Sequence, residues 1–191
     1  MIVVSSILWA AALLVVAGSL AVAIAAIRLR RPRLSLVTIA PVAIGLAGAA
    51  FLISVPPPSH TVAVIGGIGL ALLGVVAGNP ITVAVLAFAD RGTGATVTVG
   101  HHGGIILKES RDGTRRDAEV LRGGTTIGYV ERLVVIAAIV LGHLEIVAVL
   151  IAVKGLGRFS ELDSPEIRER FIIGTLVSLA WAGACALLIV V

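Results

Sequence analysis

The stretch LVVIAAIVLGHLEIVAVLIAV, Leu133 to Val153, decides how the rest of this chain is read. It has the length of a bilayer-crossing helix, which takes about 20 apolar residues. Yet Gly142, His143 and Glu145 stand at its centre, where an ionisable group is costly. Two readings fit. In one the run crosses the membrane as a single helix and holds Glu145 near mid-depth. In the other it dips in as far as Gly142 and returns as a re-entrant pair of half-helices. The crossing is the simpler reading, because broken backbone facing lipid is not tolerated and a hairpin must be buried among other helices.

Composition places the whole chain in a membrane. Of 191 residues, 58% are hydrophobic and 14% charged, with a mean hydropathy of +1.11; soluble domains carry about a quarter charged residues. A net charge of +4 is no argument for nucleic acid, since arginines flanking apolar runs are what membrane insertion uses. The single cysteine, Cys185, forms no intrachain disulfide and belongs to no zinc-type spacing. The first run, Ile2 to Ile27, has no basic residue before it and is too long for a cleavable signal core, so it is expected to stay as an anchor.

Segments are therefore expected at about residues 2–27, 34–55, 61–89, 128–153 and 171–191, an all-α polytopic bundle of about five. The third is long, and Asn79-Pro80 is the expected helix break in it. Arg28, Arg30, Arg31 and Arg33 fill the first loop, whereas PPPSH after the second segment has no Lys or Arg. By the excess of Lys and Arg in cytoplasmic loops, the first loop is inside and the N-terminus outside. Residues 90–126 then form a cytoplasmic excursion, with room for a short hairpin from ATVTVG to GGIIL. If Leu133 to Val153 crosses, however, Lys154, Arg158, Arg168 and Arg170 fall outside, against the rule. The hairpin reading removes that conflict.

Glu145 and His143 are the sharpest candidates for a polar path, to be weighed against a structural hydrogen bond to a neighbouring helix. On one continuous helix they point about 200° apart, while Glu131 and Glu145 return to within about 40° and share a face. Glu131, Arg132, Lys154 and Arg158 bracket the segment, where snorkelling to the interface is the default expectation. Gly74 and Gly78 have the spacing that lets helix backbones approach closely. His101 and His102, adjacent in a loop, supply too few ligands for a metal site. Neither a nucleophile with its base nor paired aspartates for metal-assisted chemistry is present, so the chain leans away from an enzyme, and no cofactor or metal is expected. Ser164, Pro165 and Glu166 read as a helix start.

The motifs LRGGTTIGYVERLVV and VAVKGLGRFSELDSPEIRERFIIGTLVSLAWA resemble those of a group of small bacterial integral membrane proteins of unknown function, of the kind seen in actinobacteria. The matching positions are Ile127, Gly128, Glu131, Arg132, Lys154, Arg158, Phe159, Glu161, Leu162 and Glu169 to Thr175. The resemblance implies a plasma-membrane location and groups Glu131, Arg132, Lys154, Arg158 and Glu161 as one polar site. Function is expected to be a small transport or channel element with a polar path through the fourth segment. The alternative is a non-catalytic scaffold that binds protein or anionic lipid headgroups through its cytoplasmic loop. In either case the partners expected are the lipid bilayer and a second copy of the chain, packed through the glycine-rich faces.

Overall fold

Inside a bilayer a helix satisfies every backbone group within its own segment, and the uncharged runs of this chain become helices accordingly. A computed structural model describes residues 2–51, 55–89, 97–99, 105–107, 124–157 and 165–191. Helix α1 spans Ile2–Arg28; a 3-10 turn, Pro32–Thr38, leads into α2, Ile39–Ala50. Helix α3 spans His60–Ala89, α4 Gly124–Val140, α5 Leu144–Gly157 and α6 Pro165–Val190. Two short strands, β1 at Val97–Val99 and β2 at Ile105–Leu107, pair antiparallel with Val97 opposite Leu107.

Four stretches are long and apolar enough to cross a membrane: Val3–Arg28, Pro32–Ala50, His60–Ala89 and Ile167–Val190. The expected fifth does not form one helix. It divides into α4, of 17 residues, and α5, of 14.

The direction of each helix follows from what its neighbours touch. Gly66 faces Trp9 and Gly69 faces Val16, so α1 and α3 run the same way. Gly74 faces Ile136 and Cys185, and Gly174 faces Thr82 and Leu86, so α4 and α6 run against α3. One end of the bundle thus gathers Arg28, Ala89, Gly124 and Pro165. The other gathers the start of α1, His60 and Val190, tied by Ser5 Oγ donating to Pro56 O at 2.6 Å and Trp9 Nε1 donating to Val55 O at 3.0 Å.

Helix α3 is the axis of the core. Leu73, Ala77 and Ile81 pack with Ala23, Val42, Trp181 and Cys185, and a second cluster joins Val135 and Ile136 to Leu179, Ala182 and Ala186. The small residues let the backbones approach closely. Gly74 and Gly78 fulfil the expected close packing, but within the chain: a Cβ at Gly74 would stand 2.8 Å from Ile136 Cδ1. Outward-facing Leu14, Ile44 and Leu156 remain uncovered by protein, an arrangement suited to lipid tails and unsuited to water.

Helix α3 also runs unbroken through Pro80, contrary to the break expected at Asn79-Pro80. Proline removes the one bond that would reach Val76 O, while two carbonyls nearby accept from side chains. Thr82 Oγ1 donates to Gly78 O at 2.8 Å, and a side chain from α4 reaches Val75 O.

The break occurs instead after Val140. Gly142 adopts φ +76°, with Gly142 N donating to Ile139 O at 3.1 Å and His143 N to Ala138 O at 2.7 Å. That pair of bonds is the Schellman helix stop, which favours glycine at the left-handed position. Gly142→Ala should destabilise the protein by about 1–2 kcal/mol through backbone strain alone, because the added methyl meets nothing within 4 Å. Gly18→Ala, equally unobstructed but mid-helix, should instead gain up to about 1 kcal/mol. Denaturant titration of both variants separates strain from packing.

Candidate functional site

The stop at Gly142 turns the chain back on itself. Glu131 lies eleven residues before it and Lys154 twelve after, so the reversal brings them level, and Lys154 Nζ donates to Glu131 Oε2. Their side chains are 6% and 18% exposed for Glu131 and Lys154 respectively. An ion pair so covered depends on the two limbs of the hairpin staying together.

Arg132, next to Glu131, faces the opposite neighbours and is 2% exposed. Its Nε donates to Val75 O on α3 at 2.8 Å, and its Nη1 to Ser178 Oγ on α6 at 2.9 Å. The guanidinium carbon lies 5.3 Å from the centre of the Tyr129 ring, within cation–π range. Among the described residues, no acceptor meets Nη2. Glycine at position 78 makes room for this side chain, since a Cβ there would stand 2.6 Å from Arg132 Nε. Lys154 Nζ in turn lies 5.9 Å from the Phe171 ring centre on α6.

Ser178 is thirteen residues from the start of α6 and twelve from its end, so the Arg132 guanidinium sits halfway along that helix. The Arg132 guanidinium thus reaches the middle of the bundle, whereas Lys154, beside Phe171, meets α6 six residues from its start. His143 and Glu145, expected either at the centre of a crossing helix or at the tip of a hairpin, lie at the tip. Ile139, three residues before the tip, already packs in the cluster that includes Ile189, one residue from the end of α6.

The two tip residues touch: His143 Nδ1 and Glu145 Oε1 are 2.9 Å apart, with side chains 58% and 71% exposed. On a continuous helix they would diverge; they meet because His143 is the non-helical residue just before α5. Glu145 in the first turn of α5 also faces the positive end of the helix dipole. The reversal likewise removes the face that Glu131 and Glu145 would have shared.

Asn79 is half-buried and Pro80 buried, both within the continuous helix α3. Arg158, Glu161, His101 and His102, with most of residues 90–126, lie outside the described residues. Among the described residues, no three His, Cys, Asp or Glu side chains converge as metal ligands would. Ser178 and the Val75 carbonyl, both central to holding Arg132, carried no separate signal beyond a hydroxyl within an apolar run.

A cavity of about 610 Å³ lies elsewhere, between α1, α2, α3 and α6, lined by residues such as Trp9, Val42, Gly66, Leu73 and Leu188. Its lining holds no ionisable side chain.

No family model, curated protein or solved structure matches this chain. The charged cluster is thus the feature from which a function can be built.

Proposed function

We propose that this protein is a small transport element of a bacterial cytoplasmic membrane, whose working part is a re-entrant helical hairpin carrying charges at mid-membrane. The observation that supports this is the burial of Glu131 and Arg132, with Arg132 bonded to Ser178 halfway along α6 and Glu131 paired to Lys154. Each intramembrane charge costs roughly 2.5–3.5 kcal/mol even on the lower scales, and a purely structural contact is commonly made as well or better by apolar side chains. Charges kept at that cost mark a pathway by default.

The start of α1 is outside in this reading, and the end bearing Arg28, Arg30, Arg31 and Arg33 is cytoplasmic. Reversal at Gly142 brings Lys154 and Arg168 toward the same end, so the loop that would have violated the charge rule obeys it. The resemblance to small actinobacterial membrane proteins accords with this site, since Glu131, Arg132 and Lys154 belong to the polar set it picks out. Helix α5 has no buried residue and is the limb held least by the rest of the bundle. Opening of the Glu131–Lys154 pair would free it to move.

In proteoliposomes, proton and small-ion flux read by entrapped dyes should be lost in Glu131→Gln, which keeps the size of the side chain and removes its charge. Flux should survive Glu145→Gln. Undiminished flux in Glu131→Gln overturns the proposal.

A further inference from the structure

The cavity between α1, α2, α3 and α6 lies away from the charged hairpin, and its volume of about 610 Å³ is in the range that holds a small organic ligand. It follows α1 from Trp9 to Ser19, ten residues and so about 15 Å. Val15 and Ile44 in its lining are exposed, so it opens sideways toward lipid.

Two side chains in this lining, Trp9 and Ser19, carry a polar atom, and the rest are apolar. The Trp9 indole N–H is taken by Val55 O at 3.0 Å. Ser19 is 9% exposed, yet its hydroxyl makes no hydrogen bond to any described residue. A helical serine or threonine can return its hydroxyl to the carbonyl one turn back, as Thr82 does to Gly78 O; Ser19 does not. Water is a poor substitute, because a buried water needs about two to four polar partners and this lining offers one free hydroxyl. A buried donor left unpaired is costly.

Two features then define what fits. With no ionisable side chain in the lining, a carboxylate or phosphate would bury its charge without a partner. The Ser19 hydroxyl calls for one acceptor on an otherwise apolar molecule. We infer that the cavity binds a neutral, membrane-dissolved lipid carrying a carbonyl or hydroxyl oxygen. That oxygen accepts from Ser19 Oγ, and the hydrocarbon body fills the space between Leu13, Leu70 and Leu188. The site is separate from the charged cluster and does not depend on the transport reading.

The test is photolabelling of the protein in phosphatidylcholine nanodiscs by decanol bearing a diazirine on its chain, with labelled residues mapped by mass spectrometry. Label should concentrate on Leu13, Leu70 and Leu188. Unlabelled decanol and decylbenzoquinone should compete, and the stronger of the two shows whether a hydroxyl or a carbonyl is the preferred source of the oxygen. Decane lacks the acceptor and should compete about two- to tenfold less well, the worth of one hydrogen bond. Decanoate, being charged, should compete no better than decane. Ser19→Ala removes one oxygen that has no partner in the fold, so Tm should hold or rise, while competition by decanol weakens about two- to tenfold. Ala63→Phe places a ring in the cavity and should remove the labelling; where it fails to fold, Ser19→Ala decides. Label spread evenly over outward-facing residues such as Leu14 and Leu156 overturns the site. So does decane or decanoate competing as well as decanol, or equal competition in wild type and Ser19→Ala.

Discussion

Glu131→Leu should destabilise the protein by about 3–5 kcal/mol, and adding Lys154→Met should restore most of that loss. The asymmetry follows from the burial of both partners, with Glu131 6% and Lys154 18% exposed. Removing the carboxylate alone leaves an ammonium covered by protein beside the Phe171 ring, with its strongest acceptor gone. Removing both replaces two desolvated charges by apolar side chains that the bundle can pack. Reversible unfolding in mixed micelles measures each arm of this cycle. A double variant that recovers stability but conducts nothing would show that the pair is kept for function. A double variant as unstable as the single one would mean that the pair is a net structural bond, against the account.

The second large effect is expected at Gly78. Gly78→Leu should cost at least about 3 kcal/mol, combining overpacking with displacement of a buried charge. The new Cβ would lie 2.6 Å from Arg132 Nε and 3.0 Å from Cζ, too close for either to remain. Arg132 would have to leave Val75 O and Ser178 Oγ, the two acceptors that hold it. Gly45 makes a useful contrast, because a Cβ there would meet only the flexible end of Leu188 at 3.1 Å. Gly45→Ala should therefore cost less than about 1.5 kcal/mol. Combining Gly78→Ala with Arg132→Leu should relieve most of the Gly78→Ala penalty, since the clash is with that side chain. Full additivity of the two substitutions would contradict the packing described.

The helices were legible in the sequence because an uncharged run of sufficient length has few alternatives in lipid. Whether Leu133 to Val153 crosses or folds back was not, since hydropathy registers composition and is blind to a single backbone angle. Gly142 was the local sign of a helix stop, and the basic residues that follow the run, beginning with Lys154, were its topological echo.

The site was legible as a set of charges and illegible as a place. Glu131, Arg132 and Lys154 stood out in the sequence, but which of them meet depends on the reversal at Gly142, which pairs Lys154 with Glu131. The GxxxG spacing at Gly74 and Gly78 announced close packing without saying against what, and the answer is α4 and α6 of the same chain. A second copy would have to use another surface. Pro80 misled in the other direction: a proline predicts a break, yet α3 continues through it, packed against neighbouring helices in the core.

The central claim is that the chain reverses at Gly142, and a distance across the reversal tests it most directly. Ile127 and Leu156 are both exposed, at 44% and 77%, and accept spin labels as Ile127→Cys and Leu156→Cys in a Cys185→Ala background. Packed helices lie 8–10 Å apart, so double electron–electron resonance in liposomes should give a distribution centred below about 25 Å once label length is included. A single continuous helix would separate the two positions, 29 residues apart, by about 44 Å. A distribution centred near that longer distance would contradict the hairpin and the charged site built on it.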